Sequence, residues 1–326
     1  MKETIIVTGG AGFIGSNLVK ELNKKGIDKI IIIDSLKKTG KWENLKDLTF
    51  YDFINYEIGI EKIIKKIKNV KTKAIFHLGA NSDVLDSDSN KMVELNFEHS
   101  KEWLSFSLTK KITFVFASSS AIYGNKFLKE KNKNIEDKPH NIYALSKMMF
   151  EKHLAIISTK RDLDSPVIGF RFFNTYGPRE YHKRENASLV YRFYEFITKY
   201  GKIKLFENGD KIKRDYLWVK DNVKILTKIL DKKIPNGIYD LGTGLSTSHT
   251  ELANMVIDIL KDYGKISSKK ENKDYIELIP FPENLKGKFQ FLTKANIPKW
   301  LQDFPFTKLR DGIKEYYGEI IDREKK

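Results

Sequence analysis

Short hydrophobic runs that end in glycine or a polar residue recur along the first half of the chain and alternate with helical patterns. The runs Thr4–Thr8 and Lys29–Ile33 predict two strands, and a helical pattern that extends through Asn23 separates them. Further buried strands are predicted at Lys73–His77, Ile112–Ala117, Pro166–Phe172 and Gly237–Leu241. Strands that alternate with helices form a parallel sheet covered on both faces. The predicted fold class is therefore α/β, with a doubly wound parallel sheet of the Rossmann type.

A glycine-rich turn follows the first predicted strand and opens the first helix. Its sequence, residues 9–15, is GGAGFIG. Glycines at these positions allow a tight turn and a close approach of the backbone to a pyrophosphate, whose charge the first N–H groups of the helix can bind. Asp34 ends the second strand about 20 residues later, where a carboxylate can bind a ribose. The sequence therefore predicts a dinucleotide site.

The residues after Asp34 leave the choice between NAD and NADP open. A carboxylate at this position favours NAD, because it accepts a hydrogen bond from the free 2′-hydroxyl of the ribose. Lys37, Lys38 and Lys41 follow closely, and their ammonium groups could bind a 2′-phosphate instead.

The alternation of strands and helices loosens after about residue 174, where aromatic residues are scattered among loops. This change predicts a smaller C-terminal substrate lobe. We assign residues 1–173 and about 216–248 to the dinucleotide-binding domain. Residues 174–215 and 249–326 are assigned to the substrate-binding lobe.

Tyr143 and Lys147 stand four residues apart in the run YALSK. On a helix this spacing places both side chains on one face. A nearby ammonium lowers the pKa of a phenol, which lets tyrosine move a proton while a hydride is transferred. The serines Ser118–Ser120 close the preceding strand, and a hydroxyl there can bind the reacting oxygen. Together with the glycine turn, these residues predict an active site of the dehydrogenase type.

The composition excludes several other classes of protein. With no cysteine among 326 residues, the chain has no disulfide, thiolate metal site or cysteine nucleophile, and we predict no metal. No apolar run reaches the ~18 residues that span a bilayer, and the N-terminus lacks a signal pattern, so a cytoplasmic protein without membrane contact is expected. The net charge of +16 comes from dispersed lysines, which favours a solvated surface over a nucleic-acid interface.

The motifs resemble those of the extended short-chain dehydrogenase/reductase family, in the same order and over nearly the whole chain. The matching runs are GGAGFIG, HLGA (77–80), SSSAIYG (118–124), YALSK, RFFNTYGPR (171–179) and KRDYLWVKD (213–221). The resemblance implies that Ser119, Tyr143 and Lys147 are catalytic. The residues that it implies for the cofactor are Gly9, Gly12, Phe13, Ile14, Gly15, Asp34, Ser35, Lys41, Asp52, Leu78, Gly79, Ala80, Asn96, Lys147 and Thr175.

Other runs resemble the narrower family of ADP-glycero-manno-heptose 6-epimerases. They are KWENLKDL (41–48), GPREYHK (177–183), KLFENGDKIKRD (204–215) and IPFPENLKGKFQ (279–290). This resemblance implies inversion of C6 of the heptose, through a transient 6-ketone and NADP, in the synthesis of lipopolysaccharide core precursors. Two acid/base groups would serve the two faces of the ketone, and the matching residues are Tyr143 and Lys183.

The same resemblance implies a nucleotide-sugar substrate and a homo-oligomer, with a pentamer as its form. The implied substrate-binding residues are Ser82, Asn174, Glu185, Arg192, Phe206, Glu207, Arg214 and Phe289. Arg214 is the best suited by its chemistry, because a guanidinium binds a diphosphate through two donors. The chain departs from the family pattern at Ser35, Tyr56, Arg184–Asn186 and Phe289. These departures leave NAD as the alternative cofactor and keep the exact sugar open.

Two alternatives belong beside this interpretation. Another NAD(P)-dependent nucleotide-sugar epimerase or reductase, for example one acting at C4, would use the same general motifs. A 4,6-dehydratase is disfavoured, because Ser120 and Ala121 stand where such enzymes place an Asp-Glu pair. A non-catalytic dinucleotide sensor is the alternative from a different class, although such proteins usually lose the tyrosine or the lysine that this chain retains.

Overall fold

The computed structural model describes residues 3–37, 40–82, 88–124, 139–160, 162–285 and 289–325. The strands are β1 (Thr4–Thr8), β2 (Ile30–Asp34), β3 (Asp52–Asn55), β4 (Thr72–His77), β5 (Thr113–Ser119), β6 (Val167–Phe172), β7 (Asn174–Tyr176), β8 (Ile203–Phe206), β9 (Lys213–Trp218), β10 (Gly237–Leu241), β11 (Ser246–Ser248) and β12 (Ile276–Ile279). The α-helices are α1 (Phe13–Lys24), α2 (Ile60–Ile67), α3 (Ser89–Val93), α4 (His99–Lys110), α5 (Ile142–Lys160), α6 (Leu189–Tyr200), α7 (Val219–Lys228), α8 (His249–Asp262) and α9 (Leu309–Glu324).

The central sheet has seven strands in the order β10-β6-β5-β4-β1-β2-β3. The pairings from β3 across to β6 are parallel. The order from β3 to β6 is that of a doubly wound dinucleotide-binding sheet, so the predicted fold class is confirmed. The six strands predicted from hydrophobic runs are all present, with boundaries shifted by at most two residues. The short edge strand β3 was not predicted, because only Ile54 of its four residues is buried.

The order of the strands reverses between β1 and β4. From β1 the chain continues to β2 on one side, whereas β4 pairs with the other side of β1. The connections that leave the carboxyl ends of β1 and β4 therefore run in opposite directions, and such a switch point is where open α/β sheets bind their ligands. The glycine turn follows β1 here, and Leu78–Ala80 follow β4.

Backbone contacts divide the chain into two compact units. The first comprises Met1–Ile122, Pro139–Phe172 and Asn222–Asp240, and the second comprises Tyr123–Lys138, Phe173–Asp221 and Leu241–Lys326. In the first unit, Ile6, Ile31 and Ile33 of β1 and β2 and Phe114 and Phe116 of β5 are almost fully buried in one cluster with residues of α2, α4 and α5. This burial fixes the sheet whose carboxyl edge carries the predicted dinucleotide site.

The second unit has its own hydrophobic core. A three-stranded sheet in the order β11-β9-β7 and a parallel pair of β12 and β8 contribute to it. The buried faces of α6, α8 and α9 belong to one hydrophobic cluster, which includes Phe193, Ile257, Tyr316 and Tyr317. Within the part of the chain that the structure describes, no helix combines the length and the hydropathy needed to cross a membrane.

Candidate active site

The glycine turn packs so closely that side chains would not fit. Gly9 has a φ of +71°, and a Cβ on it would lie 2.7 Å from the backbone nitrogen of Gly79. A Cβ on Gly15 would lie 2.1 Å from the carbonyl oxygen of Gly9. Gly12 is the N-cap of α1, which begins at Phe13 and receives no hydrogen bond from a side-chain cap. The turn therefore leads directly into the N-terminus of α1, and a helix N-terminus at this place fits the pyrophosphate of a dinucleotide.

Asp34, the last residue of β2, is hydrogen-bonded to this turn. Its carboxylate accepts hydrogen bonds from the backbone N–H groups of Ala11, at 2.8 Å, and Ser35, at 2.7 Å. The Nζ atom of Lys41 donates to the same carboxylate at 2.5 Å, and both side chains are largely buried. The Asp34–Lys41 pair therefore places an acceptor and a cation together where the sequence predicted the ribose of the cofactor.

Ser35 and Asp52 occupy different surroundings. The Ser35 hydroxyl donates to Glu57 at 3.0 Å, and Lys37 pairs with the same carboxylate at 2.6 Å. Asp52 is exposed and lies opposite Ile31, whereas Asn55 lies opposite Asp34. Three residues of strand correspond to about 10 Å. Of the two predicted cofactor residues, Ser35 is thus beside Asp34, but Asp52 is at the other end of β3.

The loop after β4 is held by backbone hydrogen bonds. The N–H groups of Leu78 and Gly79 donate to the carbonyl and the hydroxyl of Thr8 at 3.2 and 3.0 Å. Asn96 lies in the π-helical turn Glu94–Glu98 and exchanges two 2.8 Å hydrogen bonds with the backbone of Asn81. Such turns recur at functional sites. Asn96 therefore orients the segment that includes Ala80 and Ser82, both of which are exposed.

The structure brings together the three residues of the predicted catalytic set. Ser119 ends β5, and its Oγ accepts a hydrogen bond from the backbone of Ala121 at 3.1 Å. Tyr143 and Lys147 lie in the first turns of α5, and the Tyr143 phenol is hydrogen-bonded to Ser119. The ammonium of Lys147 donates to the carbonyl of Ala117 at 2.8 Å. A hydroxyl, a phenol and an ammonium thus converge at the carboxyl end of β5.

The electrostatics of this set differ from the sequence expectation. Burial raises the pKa of Tyr143, and the hydrogen bond with Ser119 offsets this only in part. Burial also lowers the pKa of Lys147 to about 8, against the opposing charge of Glu151. The expectation that the lysine would lower the pKa of the phenol is therefore wrong for the protein without a bound ligand, because desolvation has the larger effect.

A partly buried ion pair next to this set was not predicted from the sequence. Glu151 accepts hydrogen bonds from the Arg171 guanidinium, the shortest at 2.6 Å, and from the hydroxyl of Ser118. This leaves Ser119 rather than Ser118 next to Tyr143. The available signal was the spacing of Glu151 four residues after Lys147 on the same helix.

His77 is also buried, between Thr8 and Ser100, and burial lowers its pKa to about 3.

In the second unit, Lys183 lies in the short 3₁₀ turn Tyr181–Asn186. Its backbone N–H donates to the carbonyl of Glu180 at 2.8 Å. Arg179 and Arg184 on either side have φ values of 75° and 50°. Such conformations are costly for non-glycine residues and cluster at functional sites. Glu185, a predicted substrate residue, is exposed on the same turn.

Arg214 is nine-tenths buried on β9. Its guanidinium donates to the carbonyl of Lys213 at 3.0 Å and to that of Gln290, and it lies 5.3 Å from the centre of the Phe289 ring. Burial lowers the pKa of Arg214 to about 10, so it remains a cation at neutral pH. The centre of the Phe206 ring lies 6.2 Å from the centre of the Phe289 ring. The structure thus brings together three of the predicted substrate residues.

The remaining predicted residues of this unit make other contacts. The amide oxygen of Asn174 accepts from Thr293 at 3.2 Å, and the hydroxyl of Thr175 donates to the carbonyl of Phe173 at 3.3 Å. Arg192 is on α6 with its guanidinium 5.3 Å from the Phe196 ring. The side chain of Glu207 is exposed at the end of β8.

The glycine turn and the Ser–Tyr–Lys set define a dinucleotide-dependent enzyme that acts on a hydroxyl or carbonyl group. Residues 5–242 match the NAD dependent epimerase/dehydratase family, and the chain belongs to that family. It is 36% identical over 325 residues to ADP-L-glycero-D-manno-heptose-6-epimerase of Brachyspira hyodysenteriae, with 98% of both chains covered. The resemblance drawn from the sequence is confirmed.

Solved structures agree with this family. ADP-L-glycero-D-manno-heptose-6-epimerase of Helicobacter pylori is 25% identical, with a TM-score of 0.79 over 98% of this chain and 96% of that one. UDP-glucose 4-epimerase of Thermotoga maritima is also 25% identical, with a TM-score of 0.78 over 98% of this chain and 99% of that one. The fold is thus shared by epimerases that act at different carbons.

Proposed function

We propose that this chain is an NAD(P)-dependent 6-epimerase of ADP-glycero-manno-heptose that serves the synthesis of lipopolysaccharide core precursors. The observation that carries the proposal is the convergence of Ser119, Tyr143 and Lys147 in a chain that matches a heptose 6-epimerase from end to end. A dinucleotide sensor would need neither the phenol nor the buried ammonium beside it.

The residues present fit a nicotinamide dinucleotide. The turn of Gly9, Gly12 and Gly15 would hold the pyrophosphate, and Asp34 with Lys41 would hold the ribose of the adenosine half. When bound, the dinucleotide accepts a hydride from the sugar and later returns it. We propose NADP as the preferred form, because Lys41 supplies a cation beside the ribose position. The Asp34 carboxylate is the feature that would favour NAD.

Tyr143 is the proposed acid/base group of the oxidation step. For this role the phenol must first release its own proton to water. As the hydride leaves C6, the resulting phenolate takes the proton of the C6 hydroxyl, and the hydroxyl of Ser119 donates a hydrogen bond to the C6 oxygen. An ammonium beside a phenol favours the phenolate, and we propose that Lys147 has this effect once the ligands are bound. Because burial raises the pKa of Tyr143 before ligands bind, we expect the phenol to be protonated at rest.

Inversion at C6 needs a second proton-transfer group. The ketone must receive the hydride on its other face, and one positioned phenol cannot serve both orientations of the oxygen. We propose Lys183 as this second group and Arg214 as the residue that binds the diphosphate of the nucleotide. Phe206 and Phe289 would pack beside that nucleotide.

The direct test is incubation with ADP-D-glycero-D-manno-heptose, followed by NMR of the configuration at C6. Inversion at C6 supports the proposal. Inversion at C4 of UDP-glucose, with the heptose unchanged, would refute it and support the alternative 4-epimerase.

The role of Lys183 is tested by Lys183→Met, which keeps the bulk of the stem and removes the ammonium. We expect loss of epimerisation with retained hydride transfer, measured as dismutation of a 6-aldehyde analogue of the sugar, because dismutation needs one acid/base group. Epimerisation at the parent rate would make Lys183 an ordinary surface lysine. Loss of nucleotide-sugar affinity alone would make it a binding residue.

The cytoplasmic location and the homo-oligomer, with the pentamer as its form, stay predictions. Size-exclusion chromatography with light scattering tests the oligomer.

A further inference from the structure

Glu180, which precedes the turn of Lys183, is a fully buried carboxylate. One of its oxygens accepts the N–H of Gly177 at 3.1 Å and the hydroxyl of Ser188 at 2.8 Å, and the other accepts the N–H of Ser188 at 2.6 Å. Gly177 and Ser188 lie before and after the 3₁₀ turn Tyr181–Asn186. The carboxylate therefore ties together the two ends of the loop that carries Lys183.

A buried carboxylate without a nearby cation is costly, and here Lys183 is the cation. Burial raises the pKa of Glu180, and the charge of Lys183 opposes that change most strongly among the groups that lower it. The backbone N–H of Lys183 donates to the Glu180 carbonyl at 2.8 Å, so the two residues are held in one turn.

The other groups that interact with Glu180 are mainly tyrosines. They are Tyr181 on the turn, Tyr191 on α6, and Tyr316 and Tyr317 on α9. The pKa of each is raised above its ordinary value, so they are neutral at the pH of an assay. Arg323 on α9 lies 4.5 Å from the centre of the Tyr181 ring and interacts with that phenol. The aromatic groups exclude water and add no charge that competes with Lys183.

We propose that Glu180 is a positioning residue of the epimerisation reaction: its carboxylate closes the loop that carries Lys183 and supplies the buried negative charge that attracts the Lys183 ammonium. The inference rests on the proposed acid/base role of Lys183. Glu180 does not touch substrate in this proposal, and it acts through Lys183 alone.

The experiment compares Glu180→Gln with Glu180→Asp by the pH profiles of two assays, epimerisation and dismutation of the 6-aldehyde analogue. Dismutation measures hydride transfer that depends on the proposed catalytic groups of the first unit, including Tyr143 and Lys147. For Glu180→Gln we expect kcat of epimerisation to fall by roughly 10²-fold, as for a misplaced reacting group, with a smaller change in KM. The alkaline limb of epimerisation should move to lower pH, because loss of the anion lowers the pKa of Lys183. The pH profile of dismutation should stay unchanged. In Glu180→Asp the alkaline limb of epimerisation should return to the pH at which it lies in the parent.

An unchanged epimerisation profile for Glu180→Gln would overturn the inference. So would equal losses in both assays, because those would show a general structural defect. If Lys183→Met epimerises at the parent rate, the proposed function of Lys183 fails independently of any Glu180 variant.

A second measurement does not depend on whether Glu180→Gln folds. Lys183→Met leaves the buried Glu180 carboxylate without its cation, so we expect a lower urea midpoint at pH 7 than in the parent. The exposed Lys202→Met is the matched control and should keep the parent midpoint. Equal midpoints for both variants would contradict the pairing of Glu180 with Lys183.

Discussion

Lys147, a proposed catalytic residue, should destabilise the fold in a pH-dependent way. The side chain is 5% exposed, and burial lowers its pKa from 10.5 to about 8. In the unfolded chain this lysine keeps its proton up to about pH 10.5. Between these pH values the unfolded chain binds more protons than the folded one, so stability increases with pH. Lys147→Met removes the titrating group and should remove this increase.

The expected size follows from the two pKa values. Integration of the proton difference from pH 7 to pH 9.5 gives a gain in the free energy of unfolding of about 2 kcal/mol for the parent protein. Below about pH 7 the lysine is almost fully protonated in both states and contributes almost no slope. The free energy of unfolding of Lys147→Met should therefore exceed that of the parent by more at pH 7 than at pH 9.5.

The assay is urea unfolding of the parent, Lys147→Met and the exposed Lys202→Met at both pH values. The difference between parent and Lys147→Met should change by about 2 kcal/mol between them, and Lys202→Met should follow the parent. Parallel pH dependences for the parent and Lys147→Met would refute the conclusion that a desolvated ammonium lies at this position.

Three further variants test the site. Tyr143→Phe should lower the epimerisation rate by roughly 10²–10⁴-fold, while the cofactor affinity measured by fluorescence titration stays at the parent value. Near-normal turnover would remove Tyr143 from the mechanism. Lys41→Ala should shift the ratio of the NADP and NAD dissociation constants toward NAD, and an unchanged ratio would show that Lys41 does not select the cofactor. Gly15→Ala places a Cβ 2.1 Å from the Gly9 carbonyl oxygen. We expect a loss of about 1–3 kcal/mol in the free energy of unfolding and weaker dinucleotide binding, and parent-like values for both would contradict the close packing of this turn.

The parts of the site that the sequence could predict depend on short segments. The turn between β1 and α1 follows from glycine spacing, and the Tyr143–Lys147 pair follows from helical periodicity. The hydrophobic runs of the parallel sheet are almost uninterrupted, so they could be located within two residues.

The rest depends on contacts between distant segments. Register decides that Asn55, and not Asp52, lies opposite Asp34, and no local pattern sets that register. The Glu151–Arg171 pair joins a helix to a strand, and the spacing of Glu151 from Lys147 does not identify Arg171 as its partner. The direction of the pKa change at Tyr143 required the balance between burial and hydrogen bonding, which composition and spacing do not contain.

The order in which the two units appear along the chain has a consequence for folding during synthesis. Strand β10 completes the first unit's sheet beside β6, yet Phe173–Asp221 of the second unit is translated before β10. While the ribosome makes that segment, the backbone groups of β6 that later pair with β10 have no partner. An unpaired strand edge is a template for association with other chains. A truncation that ends at Phe172 would keep this edge open permanently, so we expect such fragments to aggregate even though they contain Ser119, Tyr143 and Lys147.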